Sequence, residues 1–98
     1  ELNGNYITEV KGLNTLENLT ILELSTNKIS EIKGLDNLKS LKFIDLSYNI
    51  ITELKSLKSL YSLISIDLTG NSLPNSEENR NYDEDDADFL FEYIYKKI

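Results

Sequence analysis

Apolar and polar positions alternate in three stretches of the chain, and the pattern recurs with a step of 22 residues. Each stretch reads Leu-x-x-Leu/Ile-x-Leu-x-x-Asn-x-Leu/Ile, and the three copies begin at residues 19, 41 and 63. Counting back one step places Leu2 and Ile7 at matching positions, so residues 1–18 are interpreted as a partial first repeat. A fixed period of this length predicts stacked units that bury their apolar faces on one another.

Five residues within each copy alternate with a period of two, which predicts a short strand with one buried face. In the first copy Leu22 and Leu24 are expected to point inward, while Ile21 and Glu23 point outward. Equivalent residues of parallel neighbouring strands lie about 4.8 Å apart. The outward residues of successive copies should therefore form columns on one open, concave face.

An asparagine follows each predicted strand at the same position of the repeat. The members of this column are Asn5, Asn27, Asn49 and Asn71. The chain must turn here, and the backbone groups that it buries need hydrogen-bond partners. A stacked asparagine can donate its amide to carbonyls and accept from the backbone of a neighbouring repeat, so we predict a structural asparagine ladder.

The segments between the strands carry leucine with a period of three, as at Leu35, Leu38 and Leu41. This spacing predicts 3₁₀ or irregular turns on the convex side. The repeats should end near residue 73, because Pro74 cannot continue a strand ladder. Residues 1–73 are thus interpreted as repeats and residues 74–98 as a C-terminal cap. The cap should contain a helix at about 84–97 whose apolar stripe covers the core of the last repeat.

The repeat resembles the leucine-rich-repeat superfamily over residues 2–73. That resemblance implies an α/β fold: a right-handed solenoid, or horseshoe, with short parallel strands, 3₁₀ or irregular convex turns and a C-terminal capping helix. The phrases Asn49-Ile-Ile-Thr-Glu-Leu and Ile32-Lys-Gly-Leu-Asp-Asn-Leu resemble the 22-residue subclass of the nuclear regulatory subunit of type 1 protein phosphatase. Bacterial internalin-like surface proteins share this repeat length, although their turns often carry proline where this chain has Gly12, Gly34 or Ser56. An intracellular location is therefore favoured, with a bacterial cell surface or secretion as the alternative.

Charge and composition narrow the classes of partner. The chain has 17 acidic and 10 basic residues, for a net charge of −7, which disfavours nucleic acid and suits a protein partner with a basic patch. The alternative is that the charge only keeps the protein soluble. No apolar run approaches the ~20 residues of a membrane span.

Catalytic chemistry has few candidate residues in this sequence. The chain has neither histidine nor cysteine, so the commonest general base and the best nucleophile are missing, and we expect no enzyme activity. No phosphate-binding motif is present, and we expect no cofactor. The acidic residues at 83–88 lack the glycine and the final glutamate of a calcium loop, so we predict no metal site there.

The columns of the concave face carry the candidate binding residues. Glu23, Asp45 and Asp67 form an acidic column, with Glu1 one step earlier. Keeping like charges in register has a cost that a basic partner could offset, unless solvent screens them. Ile21, Phe43 and Tyr48 are large apolar or aromatic residues beside the acids. They are interpreted either as interface anchors or as local filling of the face.

The sequence therefore predicts a protein–protein interaction module that binds through an acidic and aromatic concave face, with a phosphatase-regulator-like scaffold as one form of it. Two alternatives stay open. The chain could be the structural C-terminal cap of a longer repeat protein, or an internalin-like bacterial adhesion module. Leu2 and Ile7 would lie on an uncovered edge, so upstream repeats or an N-terminal cap are expected to precede residue 1, with pairing of the edge to another chain as the alternative.

Overall fold

Three short parallel strands, one in each copy of the repeat, form most of a four-stranded sheet. The computed structural model describes residues 6, 8, 16–32, 35, 37–53, 57, 60, 62–74 and 78–86. The strands in chain order are β1 (Ile21–Glu23), β2 (Phe43–Asp45), β3 (Ser65–Asp67) and β4 (Asn81–Tyr82). They lie in the sheet in the same order. Leu22 pairs with Ile44, and Ile44 with Ile66, so the register of the parallel strands equals the 22-residue step.

The core lies on one side of this sheet and is almost wholly aliphatic. The central residue of each parallel strand is buried, while its two neighbours are exposed or half-buried, as the period of two requires. Between strands, the backbone N–H of Leu38 donates to the oxygen of Leu35, and that of Leu41 donates to the oxygen of Leu38. These tight turns aim the leucines inward. The buried apolar residues are Leu22, Leu24, Ile29, Ile32, Leu35, Leu38, Leu41, Ile44, Leu46, Ile51, Leu57, Leu60, Ile66, Leu68, Leu73 and Tyr82.

The last strand runs against the others. β4 pairs antiparallel with β3, with Ile66 opposite Tyr82. The backbone N–H of Leu68 donates to the carbonyl of Arg80 at 2.8 Å. The equivalent N–H of Leu46 donates to the backbone carbonyl of Asp67 in the next repeat. The side chain of Tyr82 is only 1% exposed and belongs to the core cluster. β4 thus continues the hydrogen bonding beyond β3 and brings an aromatic ring into the core.

The prediction of an α/β solenoid, or horseshoe, is wrong for the described part of the chain. β4 makes the sheet mixed, and β4 is its last strand in the described residues. The molecule measures 29 × 25 × 20 Å with a radius of gyration of 12.2 Å, which is a small compact domain. The 22-residue period predicts how far apart in sequence the strands lie, but it does not predict how many strands stack. Four strands span only about 15 Å at the usual separation, which is too short for a horseshoe.

The prediction of a capping helix at about 84–97 is also wrong where it can be compared. Residues Glu84–Asp86 form a single 3₁₀ turn, and the described residues contain no α-helix. The N–H of Asp85 donates to the Asp83 carboxylate at 3.0 Å, and the N–H of Asp86 donates to the Asp83 carbonyl at 3.0 Å. An aspartate makes such bonds in the first turn of a helix, and within the described residues they form this single 3₁₀ turn. The rest of the predicted helix, residues 87–98, lies outside the described residues.

Candidate functional site

A shallow depression of about 330 Å³ lies on the open face of the sheet, opposite the core. Its floor crosses all four strands. The lining residues are Ile21, Leu22, Glu23, Phe43, Ile44, Asp45, Ser65, Asp67 and Asn81. We call this surface the open face. Five of the six residues predicted to bind a partner lie here together, namely Ile21, Glu23, Phe43, Asp45 and Asp67.

The open face is acidic with an apolar part. Glu23, Asp45 and Asp67 are aligned across β1, β2 and β3 by the strand register. Ile21 and Phe43 are aligned in the same way two residues earlier, and the side chain of Ile21 is 54% exposed. No Lys or Arg among the described residues lines the depression. The surface therefore offers negative charge next to exposed hydrocarbon.

Two of the acids also hold the chain where it leaves the strand. One carboxylate oxygen of Asp45 accepts from the backbone N–H of Ser47 at 3.0 Å and from its hydroxyl at 2.7 Å. The equivalent oxygen of Asp67 accepts from the N–H of Thr69 at 3.0 Å. An aspartate side chain that bonds the backbone two residues on stabilises a turn. Asp45 and Asp67 thus have a structural task that the sequence analysis did not assign to them.

Tyr48 lies away from the depression, at the turn that follows β2. Its backbone adopts a φ of 56°, and the equivalent residues Thr26 and Gly70 have φ values of 56° and 72°. The ring of Tyr48 lies against Gly70: a Cβ added at Gly70 would stand 2.5 Å from Cδ1 of Tyr48. The side chain is 60% exposed. The structure therefore separates Tyr48 from the other five candidates and places it over the backbone of the next repeat.

The asparagines bond in the pattern of a ladder between repeats. The amide of Asn49 donates to the carbonyls of Leu46 and Leu24, and its oxygen accepts from the N–H of Ile29 at 3.1 Å. The remaining described members make related bonds: Asn27 donates to Leu24 at 3.0 Å, and Asn71 donates to Leu68 and Leu46 and accepts from Ile51. Asn5 lies outside the described residues. These side chains serve the backbone and do not line the open face.

Asn79 takes over this bonding after the last repeat. The N–H of Leu73 donates to the side-chain oxygen of Asn79 at 3.0 Å, as the N–H of Ile51 donates to Asn71. The next position of the 22-residue step is Tyr93, whose side chain lacks the amide group with which the asparagines both donate and accept. Asn79 escaped the sequence analysis because it lies off the step. The absence of an asparagine at position 93 was the signal that another residue must accept the hydrogen bond from the backbone N–H of Leu73.

Tyr82 and Arg80 form a second group that the sequence analysis missed. The guanidinium of Arg80 lies 4.4 Å from the centre of the Tyr82 ring and 3.7 Å from a carboxylate oxygen of Asp86. The hydroxyl of Tyr82 donates to the carbonyl of Glu78 at 3.2 Å. Burial raises the pKa of Tyr82 above the usual value of 10.0, an effect that Arg80 partly offsets. The group closes the β4 end of the core.

The described part of the chain contains no cluster of three or more acidic, histidine or cysteine side chains that could hold a metal ion. Nor does any helix within it have the length and apolar character needed to cross a bilayer.

Comparison with protein-family models finds no match for this chain, and comparison with the curated proteins finds none either. The resemblance to leucine-rich repeats, and to their phosphatase-regulator and internalin-like members, therefore stays a prediction from the residues that carry it.

Proposed function

We propose that this chain is a protein-interaction module that binds a partner with a basic patch through the open face. The observation that carries the proposal is the grouping of Ile21, Glu23, Phe43, Asp45 and Asp67 around one depression. Exposed apolar side chains next to aligned charges are typical of interfaces in which hydrocarbon supplies affinity and charge supplies association rate and register.

The charge of the open face selects the class of partner. Three carboxylates lie side by side across adjacent strands, and no described basic residue lines the depression. Like charges directly opposite one another on a sheet oppose folding, and a basic partner would relieve this cost on binding. A neutral or acidic partner would leave it in place.

The experiment is an affinity capture with a matched control. The open-face variant carries Ile21→Ser and Glu23→Lys, and the control variant carries Ile50→Ser and Glu53→Lys. Ile50 is 50% exposed, close to the value for Ile21, and neither Ile50 nor Glu53 lines the depression. Both variants therefore change charge and apolar exposure alike.

The proposal expects proteins that are retained by the wild type and by the control variant but lost by the open-face variant. On a partner so identified, Phe43→Ala should weaken binding by about 1–3 kcal/mol. Capture of the same proteins by all three baits would contradict the proposal. Circular dichroism spectra of the variants, compared with the wild type, establish that each is folded.

A structural role is the second candidate, in which the segment supports a longer repeat protein without a contact of its own. It is favoured by the intramolecular bonds that Asp45 and Asp67 make at the turns after β2 and β3. In that case the open-face variant should behave like the control in capture. The described residues of the open face do not favour a phosphatase-regulator-like scaffold over an internalin-like adhesion module, so the proposal stays at the level of a protein-binding face.

A further inference from the structure

The acids of the open face are spaced at the separation of the strands. The parallel register places Glu23 beside Asp45, and Asp45 beside Asp67. Neighbouring strands lie about 4.8 Å apart, so the first and third acids are separated by about 10 Å along a line that crosses the strands. A partner that pairs with all three must present basic groups at a similar spacing.

An α-helix has this spacing, and an extended segment does not. Along a helix, residues three or four apart rise by about 4.5–6 Å on one face, and residues seven apart rise by about 10.5 Å. In an extended segment, successive side chains on one face lie about 6.7 Å apart, which gives about 13 Å for three of them. The mismatch over the three acids is under about 1 Å for the helix and roughly 3 Å for the extended segment.

The hydrogen-bonding needs of the partner's backbone also favour a helix over an extended segment. The open face presents side chains, because the backbone hydrogen bonds of β1 to β4 are made within the sheet. An extended segment lying across it would have its own N–H and C=O groups pressed against Ile21 and Phe43 without partners. A helix satisfies these groups internally and can be buried on a surface of side chains without that cost.

A second column sets the character of the helix. Ile21, Phe43 and Ser65 are aligned parallel to the acids and two residues earlier on each strand, which is about 6.7 Å away. The column is apolar over β1 and β2 and polar over β3. A helix that covers both columns therefore needs a stripe of three basic residues. It also needs apolar residues beside the two basic residues that lie over β1 and β2.

From these relationships we infer that the partner presents an amphipathic helix that lies across β1, β2 and β3, with basic residues at i, i+3 or i+4, and i+7. The inference rests on the proposed function and names the element that the open face recognises. Glu23, Asp45 and Asp67 pair with the basic stripe, and Ile21 and Phe43 contact the apolar stripe.

Three labelled peptides of one composition test this inference with the intact chain. The first is alanine-rich, with Lys at i, i+4 and i+7, two Leu beside the first two Lys, and Pro at its end. The second places the three Lys at i, i+2 and i+4, the spacing of an extended segment. The third keeps the first pattern but moves the Pro to the middle, where it disrupts the helix. Fluorescence anisotropy measures the affinity, and circular dichroism measures helix formation on binding.

The first peptide should bind roughly tenfold more tightly than the other two, with a gain of helix on binding. Glu23→Gln should reduce this preference, and Glu53→Gln, which removes the same charge elsewhere, should leave it unchanged. Equal or tighter binding of the second or third peptide would overturn the inference. A preference equally reduced by both variants would also overturn it, because it would then report net charge alone.

A failure of the helix inference can be distinguished from a failure of the proposed function. A partner captured through the open face that presents an extended basic segment would exclude the helix and leave the interaction module in place. Capture of the same proteins by the wild type, the open-face variant and the control variant would contradict the interaction module itself, whichever peptide bound best.

Discussion

The side-chain amide of Asn49 donates a hydrogen bond to the carbonyl of Leu24 at 3.0 Å, across 25 residues of sequence. The oxygen of the same amide accepts from the N–H of Ile29. Asn49 is 4% exposed, so water does not replace these bonds when they are lost. The turn after β1 is therefore stabilised by a side chain of the following repeat, which makes neighbouring repeats interdependent.

Substitution of Asn49 by leucine should destabilise the protein by about 3 kcal/mol. The change leaves the N–H of Ile29 buried without its acceptor, which costs about 1–3 kcal/mol. It also removes one of the two asparagine donors to each of the carbonyls of Leu24 and Leu46, and each such bond contributes about 0.5–1.5 kcal/mol. Urea unfolding followed by circular dichroism measures the loss. The control is Asn18→Leu at an exposed position, which should change the free energy of unfolding by less than about 0.5 kcal/mol. Equal losses in the two variants would show that the ladder is not a main source of stability.

Substitution of Gly70 by alanine should destabilise the protein by roughly 2 kcal/mol or more. The φ of 72° costs about 1–2 kcal/mol for any residue with a Cβ, and the new Cβ would stand 2.5 Å from Cδ1 of Tyr48. In a Tyr48→Ala background the contact is absent, so only the backbone cost should remain. The four proteins form a double-mutant cycle, again measured by urea unfolding. Additive effects would contradict the close packing of Tyr48 on Gly70.

Raising the pH above the usual tyrosine pKa should reduce stability through Tyr82. Burial raises the pKa of this side chain from 10.0, so the folded protein retains the phenol proton after the unfolded chain has released it. The stability due to neutral Tyr82 is complete below about pH 10 and is lost as the pH rises through the folded-state pKa. Tyr82→Phe removes this loss, together with the hydrogen bond to Glu78.

The measurement compares urea unfolding of the wild type and Tyr82→Phe from neutral to alkaline pH. The wild type should be the more stable at neutral pH, and its advantage should shrink above the usual tyrosine pKa. Tyr48→Phe is the control, because Tyr48 is 60% exposed and its ring has no such burial. A constant difference between the wild type and Tyr82→Phe across the range would contradict a raised pKa.

The repeat pattern predicted the position of most of the candidate binding residues, but not of all of them. The pattern grouped Ile21, Glu23, Phe43, Asp45 and Asp67, and these line one depression because residues one step apart are neighbours in the sheet. It also grouped Tyr48 with them, but the left-handed backbone at this turn directs the ring onto Gly70. The bonds of Asp45 and Asp67 to Ser47 and Thr69 depend on the local turn geometry, which a column of acids does not reveal.

The sequence by itself determined which residues pair across the parallel strands and that the central residue of each strand is buried, because both follow from a constant step and a period of two. Only the tertiary structure decided how the sheet ends. β4 is a two-residue strand with no periodicity of its own, so no apolar pattern in the sequence predicted it. Asn79 and Tyr82 complete the hydrogen bonding and the core there, because the backbone of Leu73 and Leu68 requires partners that no further repeat supplies in the described structure.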